Sequence, residues 1–287
     1  MLSRSESVVI PVLSIPSIEL NSGRAIPQVG LGVFKIEPKQ TEKLVSEALE
    51  AGYRHIDTAM IYKNEKAVGR AIAASGVPRD ELFITTKLWN SDHEHPRKAL
   101  ITSLERLGLD KVDLYLIHWP MPMHDTSVGA WRSLVKFLGE GTVASIGVSN
   151  FEIEHLRHLV DETGVVPAVN QIELHPLHQR TELRDYCHDL GIAIEAWGPL
   201  TQGKSNLLQM PEVTDAAELL GKTPAQVVLR WHVQLGNIVI PKTARSARLV
   251  ENADLFDFRL SDAQMTALNA LDSGQRFGPD PHTFDAK

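Results

Sequence analysis

The sequence predicts a single α/β domain folded as a (β/α)8 TIM barrel, with an N-terminal β-hairpin and additional C-terminal helices. Short β-branched segments alternate with amphipathic stretches between Pro27 and Pro241, which is typical of repeated βα units around a parallel sheet. The chain has 287 residues, and such a barrel usually needs about 250. No composition break or linker divides the chain near its middle, as a two-domain dinucleotide-binding enzyme would require.

Eight strands are predicted, beginning with QVGLG and ending with NIVIPK. In chain order they cover residues 28–32, 53–59, 82–87, 112–118, 143–149, 168–174, 192–198 and 237–242. A helical pattern follows each strand. TEKLVSEALEAG stops at Gly52, and PRKALITSLERLG begins at Pro96 and stops at Gly108, in agreement with the usual places of proline and glycine at helix boundaries.

The segments outside the repeats have their own patterns. SIELNSGRAIP predicts a small hairpin that turns at residues 21–23 and forms a lid on the bottom of the barrel. SDAQMTALNALDS predicts an extra helix capped by Ser261. One domain is expected over residues 1–287, with residues 1–15 as a candidate disordered segment. Residues 274–287 form a tail with Phe277 and Phe284, which either folds over the pocket or stays mobile.

Composition excludes several classes of function. Acidic residues outnumber basic ones by 36 to 29, so the protein has no general attraction to nucleic acid or to an anionic membrane, and neither is an expected partner. The single cysteine, Cys187, excludes an intrachain disulfide and fits a reducing compartment. No segment approaches the roughly 18 apolar residues of a membrane span, and Pro11 and Pro16 interrupt the first apolar run. A cytoplasmic protein is therefore expected.

Polar side chains at the strand ends indicate where chemistry takes place, because a TIM barrel builds its active site there. Asp57, Lys87 and His118 lie at nearly equal spacing at the ends of three consecutive predicted strands. We therefore expect them to converge on one mouth of the barrel. Tyr62 lies in the loop after Asp57, where its hydroxyl group can turn back over the same mouth.

These four side chains suit proton transfer to a developing alkoxide. A phenol with a pKa of about 10 is a weak acid, and a nearby ammonium such as that of Lys87 lowers this pKa. Asp57 can hold Lys87 in its charged form, and His118 can donate a hydrogen bond to a carbonyl oxygen. The set contains no redox centre, so the hydride must come from a cofactor, and a nicotinamide is the simplest choice.

Several motifs resemble the aldo-keto reductases over residues 18–277. They are GYRHIDTAMIYKNE, FITTKLWN, DLYLIHWP, IGVSNF, NQIELHP and IPKTARSARLVEN. The segment EAWGPL, with Trp197 where many members have tyrosine, is similar to the branch of bacterial 2,5-diketo-D-gluconate reductases. The resemblance implies that Tyr62 is the general acid in the reduction of an aldehyde or ketone. It implies that Lys87 and Asp57 tune the acidity of Tyr62, and that His118 places the substrate carbonyl.

The same resemblance implies a set of cofactor contacts. Ser149, Asn150 and Gln171 would hold the nicotinamide carboxamide, and Trp197 would offer a face for the ring. The contacts implied for the diphosphate and the adenosine half are Gly198, Pro199, Leu200, Ile240, Lys242, Thr243, Ala244, Arg248, Glu251 and Asn252. Independently of the family, KTARSAR places Lys242, Arg245 and Arg248 at a predicted helix start. Such a cluster suits a 2′-phosphate, which favours NADPH over NADH; Arg245 is the one cation without an assigned contact.

The substrate is less constrained by the sequence. Phe34, Trp89 and Trp119 follow strand ends and either line a substrate pocket, together with His118, or serve ordinary packing. The loops after the fourth and seventh strands are short, which predicts an open, shallow pocket for small aldehydes, dicarbonyls or keto-sugars.

Two other classes of function are less compatible with the sequence. His93-Glu94-His95 could serve a metal hydrolase, but no first-strand H-x-H or carboxylate partner accompanies it, so no metal is predicted. A nicotinamide-binding sensor without turnover would not need Tyr62 together with Lys87. The stretch at residues 139–144 fits G-x-G-x-x-A but precedes a strand, and is interpreted as a turn. A monomer is expected.

Overall fold

A β-hairpin closes one end of the barrel in the computed structural model, which describes residues 13–287. Its strands are β1 (Ser17–Glu19) and β2 (Ala25–Pro27), which pair antiparallel. Leu20 and Ile26 pack against Phe83, at the start of a barrel strand. Asn21 Nδ2 donates a hydrogen bond of 2.9 Å to the carbonyl oxygen of Pro167. The hairpin therefore covers the end of the barrel where the strands begin, as predicted.

The chain before the hairpin is only partly described. Leu13 N donates a hydrogen bond of 3.1 Å to Ala51 O, and Leu13 and Ile15 pack against the core. Residues 13–15 of the candidate disordered segment are therefore packed onto the domain. Residues 1–12, with most of the first apolar run, lie outside the described residues.

Eight parallel strands form the barrel, and they are hydrogen-bonded to one another in chain order. They are β3 (Leu31–Gly32), β4 (His55–Asp57), β5 (Phe83–Leu88), β6 (Val112–Ile117), β7 (Val143–Ser149), β8 (Val169–Glu173), β9 (Ala193–Trp197) and β10 (Ile238–Val239). A parallel bridge between Val29 and Val239 joins the first strand to the last, and Gly30 N donates to Val239 O at 2.8 Å. The sheet therefore closes on itself, and the predicted TIM barrel is confirmed.

The first and last barrel strands are shorter than predicted. The segment predicted at 28–32 contains only β3 and the bridge at Val29. The segment predicted at 237–242 ends as a strand at Val239. Pro241 lacks the backbone N–H that a continued ladder would require, so the chain leaves the sheet there. Residues 240–246 therefore lie outside the strands and helices.

Ten α-helices occur within residues 13–287, and they surround the barrel. They are α1 (Pro38–Ala51), α2 (Glu65–Ser75), α3 (Pro96–Leu107), α4 (Ser127–Glu140), α5 (Ile153–Thr163), α6 (Thr181–Asp189), α7 (Pro211–Leu220), α8 (Pro224–Gln234), α9 (Ala247–Ala253) and α10 (Asp262–Asn269). Two of them, α7 and α8, lie between β9 and β10, and α10 is an additional C-terminal helix. Ser261 caps α10 by accepting a hydrogen bond from Gln264 N, as predicted.

Helix α1 shows how local sequence signals and packing agree. Pro38 occupies its first turn, and Gly52 ends it with a φ of 105°, a left-handed conformation that favours glycine. Leu44, Val45 and Leu49 lie on its buried face. Burial of each such side chain stabilises the fold by about 1.5–3 kcal/mol, so α1 is held against the barrel mainly by this stripe.

A close approach of α2 to α3 yields a first prediction. A methyl group added at Gly69 in α2 would lie 2.2 Å from Leu107 O, so the two helices would have to separate. We expect Gly69→Ala to lower the free energy of unfolding by about 1–3 kcal/mol, as overpacking does. Urea unfolding measures this change.

The matched control is Gly139→Ala on the exposed side of α4, where no atom lies within 4 Å of the added methyl. Because alanine favours helix, this variant should gain about 0.5–1 kcal/mol. Equal effects of the two substitutions would contradict the close approach of α2 to α3.

Candidate active site

A buried ion pair joins two neighbouring barrel strands at the mouth. Lys87 Nζ at the end of β5 lies 2.7 and 2.8 Å from the two carboxylate oxygens of Asp57 on β4, and it also donates to Thr58 O at 2.9 Å. Both side chains are buried. Burial acts to lower the pKa of Lys87, but the charge of Asp57 outweighs it and the pKa lies above its usual range. Lys87 is therefore a fixed positive charge.

Tyr62 lies over this pair, in the turn after β4. Lys87 Nζ is 5.1 Å from the centroid of the Tyr62 ring. Burial raises the pKa of Tyr62 to about 12, and the charge of Lys87 opposes this increase only in part. Lys87 therefore lowers the pKa of Tyr62 as expected, but desolvation of the phenol raises this pKa by more. Tyr62 holds its proton at neutral pH.

His118, which follows β6, completes the predicted group of four. Its ring packs edge-on against Tyr62, with the centroids 5.7 Å apart. Burial, with a contribution from the charge of Lys87, holds the pKa of His118 well below its usual range. The imidazole is therefore neutral, and a neutral ring still has one N–H that can donate to a carbonyl oxygen. The structure brings Asp57, Tyr62, Lys87 and His118 together, as the strand spacing predicted.

A second carboxyl group, that of Glu195, lies inside the barrel and was not predicted from the sequence. Gln171 Nε2 donates to Asp57 Oδ2 at 2.9 Å and to Glu195 Oε2 at 2.8 Å. Burial and the nearby charge of Asp57 raise the pKa of Glu195 to about 8. One signal could have found it: Glu195 is two residues before Trp197 on the same predicted strand, so both side chains point to the same face.

The residues expected around a nicotinamide are also neighbours. Asn150 Nδ2 donates to His118 O at 3.0 Å, and Trp197 Nε1 donates to Asn150 Oδ1 at 2.8 Å. Ser149 Oγ donates to Gln171 O at 2.8 Å. Asn150 thus braces three strand ends. Gln171 Oε1 accepts no hydrogen bond from the described residues, so this oxygen can accept the N–H of a carboxamide.

The residues expected around the rest of the cofactor follow β9 and β10. Lys242, Arg245 and Arg248 are exposed, and none of the three pairs with a carboxylate of residues 13–287. Three uncompensated cations, two in the loop after β10 and Arg248 in the first turn of α9, fit a phosphate group. The other expected contacts in these two segments are Gly198, Pro199, Leu200, Ile240, Thr243, Ala244, Glu251 and Asn252.

Two of these expected contacts already have partners in the protein. Glu251 accepts a hydrogen bond of 2.8 Å from Thr223 Oγ1. Thr243 Oγ1 accepts one of 3.0 Å from Arg245 N, so its hydroxyl group shapes the loop that carries the cations.

Aromatic side chains surround the mouth. The ring of Phe34, which is 42% exposed, has its centroid 4.9 Å from that of Tyr62. The ring centroids of Trp89 and His118 are 5.1 Å apart. Trp119 is buried and contacts Phe284 of the C-terminal tail, with the ring centroids 4.1 Å apart. All three aromatic residues proposed from the sequence therefore lie at the same mouth as the catalytic candidates.

The C-terminal tail folds across this mouth, which decides between the two alternatives left by the sequence. Glu173 accepts hydrogen bonds from Phe277 N at 2.7 Å and from Gly278 N at 2.9 Å. Asn90 Nδ2 donates to Ala286 O at 2.7 Å. A methyl group at Gly278 would lie 2.3 Å from the Trp197 ring. The tail therefore forms one side of the mouth, which is the first of the two alternatives stated above.

The histidine motif of the metal-hydrolase alternative does not form a cluster. His93 is buried and pairs with Thr126 Oγ1 at 2.9 Å, whereas His95 is exposed at the start of α3. Within residues 13–287, no three His, Cys, Asp or Glu side chains are arranged to hold a metal ion. In the same part of the chain, every helix is too short or too polar to cross a bilayer.

Comparison with known proteins agrees with this geometry. A model of the Aldo/keto reductase family matches residues 28–273. An aldo-keto reductase of Mycolicibacterium smegmatis is 55% identical over 272 residues, which are 94% of this chain and 98% of that protein. The methylglyoxal reductase DkgA of Yersinia pestis is 53% identical over 269 residues, 94% and 97% of the two chains. A crystal structure of a Gox0644 mutant in complex with NADPH has a TM-score of 0.91 and 43% identity, and covers 95% of this chain and 100% of that chain.

The buried ion pair yields a prediction about stability. Removing one partner leaves an uncompensated buried charge, so Asp57→Asn and Lys87→Met should each lower the free energy of unfolding by about 3–5 kcal/mol. The double variant removes both charges and should lose much less than the sum. Denaturant unfolding of the four proteins measures the coupling, and additive losses would show that the two charges do not depend on one another.

Proposed function

The chain belongs to the aldo/keto reductase family, and from this premise we propose that Tyr62 is the general acid with which it reduces small aldehydes, dicarbonyls or keto-sugars. It is an NADP-dependent oxidoreductase, and NADPH is its cofactor. One observation carries the proposal: the ammonium of Lys87, fixed by Asp57 at 2.7 Å, lies 5.1 Å from the ring of Tyr62.

The residues of the chain supply the proton for this reaction. Bound NADPH supplies the hydride that reduces the carbonyl carbon. Tyr62 gives its hydroxyl proton to the carbonyl oxygen, so that an alcohol forms. The phenolate that remains is stabilised by the charge of Lys87, and Asp57 keeps that charge in place. His118 donates a hydrogen bond to the same oxygen and orients it.

The rate enhancement comes from charge that develops during the reaction. The carbonyl oxygen becomes negative as the carbon is reduced, so donors at fixed positions bind it more tightly in the transition state than in the substrate. Tyr62 and His118 are held in contact with each other, and Lys87 is held by three oxygen atoms. No donor has to move into place during the reaction.

Cofactor binding is assigned to groups at the mouth of the barrel and in the segment after β10. Gln171 Oε1, together with Ser149 and Asn150, would hold the carboxamide, and Trp197 would offer its ring face. Lys242 and Arg248 would hold the 2′-phosphate, which supports a preference for NADPH over NADH.

Two observations support a small substrate. Phe284 of the tail packs on Trp119 and lies 6.4 Å from Trp89, centroid to centroid, so the mouth is narrowed by aromatic rings. The relative from Yersinia pestis is named a methylglyoxal reductase. Both observations favour a small dicarbonyl over a bulky steroid.

The role of Tyr62 predicts that Tyr62→Phe loses turnover but keeps the cofactor. Loss of a general acid lowers kcat by about 10²–10⁴-fold, whereas the ring that remains still fills its place beside His118. Oxidation of NADPH with methylglyoxal and a panel of small aldehydes measures turnover, and quenching of tryptophan fluorescence measures NADPH affinity. A parallel fall in affinity would show that Tyr62 serves binding instead, and binding without turnover in the wild type would point to a sensor.

The loop after β10 predicts the basis of cofactor choice. A hydrogen bond to a charged group contributes about 1.5–3 kcal/mol, so Lys242→Ala and Arg248→Ala should each weaken NADPH binding by about 10–100-fold and leave NADH binding nearly unchanged. Arg245→Ala is the matched control, because Arg245 is also exposed and lies between the other two cations in the sequence but has no assigned contact. An equal loss for all three variants would indicate general attraction rather than a defined phosphate site.

A further inference from the structure

Glu195 is a carboxyl group in the interior of the barrel, two residues before Trp197 on β9. Its side chain is completely buried. Oε2 accepts the hydrogen bond from Gln171, and Oε1 lies 3.5 Å from His55 Nε2. No lysine or arginine of residues 13–287 pairs with it. An ionised carboxylate without a partner is strongly disfavoured in such a place, so the group takes up a proton.

His55 does not supply the missing positive charge. Burial lowers the pKa of His55 to about 3, with a contribution from the charge of Lys87, so the ring is neutral at physiological pH. Its Nε2 lies 3.2 Å from Thr85 Oγ1. Glu195 and His55 are therefore both uncharged at neutral pH.

The amide of Gln171 connects this pair to the catalytic ion pair. A single nitrogen bridges Asp57 and Glu195, at 2.9 and 2.8 Å. Two carboxyl groups thus share the charge of one ammonium, that of Lys87, and like charges this close do not both ionise readily. Asp57 contacts Lys87 directly whereas Glu195 does not, so Glu195 is the member that keeps its proton at neutral pH.

We propose that Glu195 is a positioning residue of the reductase site, which through Gln171 holds Asp57 against Lys87 and whose ionisation reduces proton donation by Tyr62 at alkaline pH. This inference rests on the proposed function. The charged and titratable groups that face Glu195 are His55 and Asp57 from β4 and Lys87 from β5, and Tyr62 lies beyond Lys87.

The direction of the effect follows from the sign of the added charge. When Glu195 loses its proton, a second negative charge appears near Lys87 and Tyr62, and this charge raises the pKa of both groups. Tyr62 then gives up its proton less readily. Because the pKa of Glu195 is about 8, kcat for reduction should fall as pH rises through that value.

The first test compares the pH dependence of kcat for reduction of methylglyoxal in three proteins. In the wild type, kcat should be about three- to tenfold lower at about pH 9.5 than at about pH 7. Glu195→Gln keeps an acceptor for Gln171 but cannot ionise, so its kcat should stay level over this range, with a KM for methylglyoxal close to that of the wild type. An alkaline decline that is the same in Glu195→Gln would overturn the proposal.

The matched control is Glu173→Gln, a second buried carboxyl group of the barrel. Burial raises the pKa of Glu173, but hydrogen bonds from His175 and from the backbone of Phe277 outweigh this and hold it below the usual range. Glu173 is therefore ionised throughout the tested range, and its variant should keep the alkaline decline of the wild type. If kcat of Glu173→Gln did not fall at alkaline pH, this result would also contradict the proposal that ionisation of Glu195 causes the decline. If none of the tested carbonyl compounds caused the wild type to oxidise NADPH, the proposed function would instead be refuted.

The second test does not depend on activity. A carboxyl pKa that is raised from about 4.3 in the unfolded chain makes the folded state lose stability as pH rises from that value to the folded pKa. The melting temperature of the wild type should therefore fall by several degrees relative to Glu195→Gln between about pH 5 and pH 8. If the difference in melting temperature between the two proteins did not change with pH, the ionisation of Glu195 in this range would be contradicted.

If Glu195→Gln does not fold, infrared spectroscopy of the wild type alone still tests whether Glu195 ionises in this range. The infrared band of a protonated carboxyl group should be present at about pH 7 and disappear near pH 9, because a deprotonated carboxylate has no such band. Absence of a band that titrates in this range would overturn the proposal.

Discussion

The ion pair between Lys87 and Asp57 is the interaction on which the site depends. Burying two charges costs several kcal/mol for each ion, and only close contact with further hydrogen bonds repays it. Here the ammonium contacts both oxygens of Asp57 and the carbonyl oxygen of Thr58. The pair is possible because β4 and β5 are neighbouring parallel strands, which place the ends of two successive repeats side by side. The barrel thus holds a positive charge next to a phenol that keeps its proton.

The interior of this barrel differs from a simple hydrophobic core. Layers of branched apolar side chains fill most TIM barrels, but here the interior contains Asp57, Lys87, Gln171, Glu195 and His55. The largest apolar cluster lies instead between the strands and the surrounding helices, and a smaller one lies at the bottom beneath the hairpin. Stability therefore comes mainly from the outer layer, while the interior supports charge and hydrogen bonds.

The sequence predicted the part of the site that depends on regular repeats. Asp57, Lys87 and His118 could be placed together because equal positions on consecutive strands converge in a closed barrel. Glu195 was missed, although its position two residues before Trp197 on one strand was visible. The net pKa of Tyr62 could not be predicted, because it depends on how deeply the ring is buried. The path of the tail depends on contacts such as Phe284 with Trp119, which no local pattern encodes.

The rate of hydride transfer in a single turnover tests most directly whether proton donation by Tyr62 depends on the charge of Lys87, because it separates chemistry from cofactor binding. With NADPH bound first and methylglyoxal mixed in, Lys87→Met should slow the loss of NADPH absorbance by about 10²–10⁴-fold, while its affinity for NADPH stays close to that of the wild type. An unchanged single-turnover rate in a folded Lys87→Met protein would contradict this role of Lys87, because proton donation by Tyr62 would then not need the buried charge.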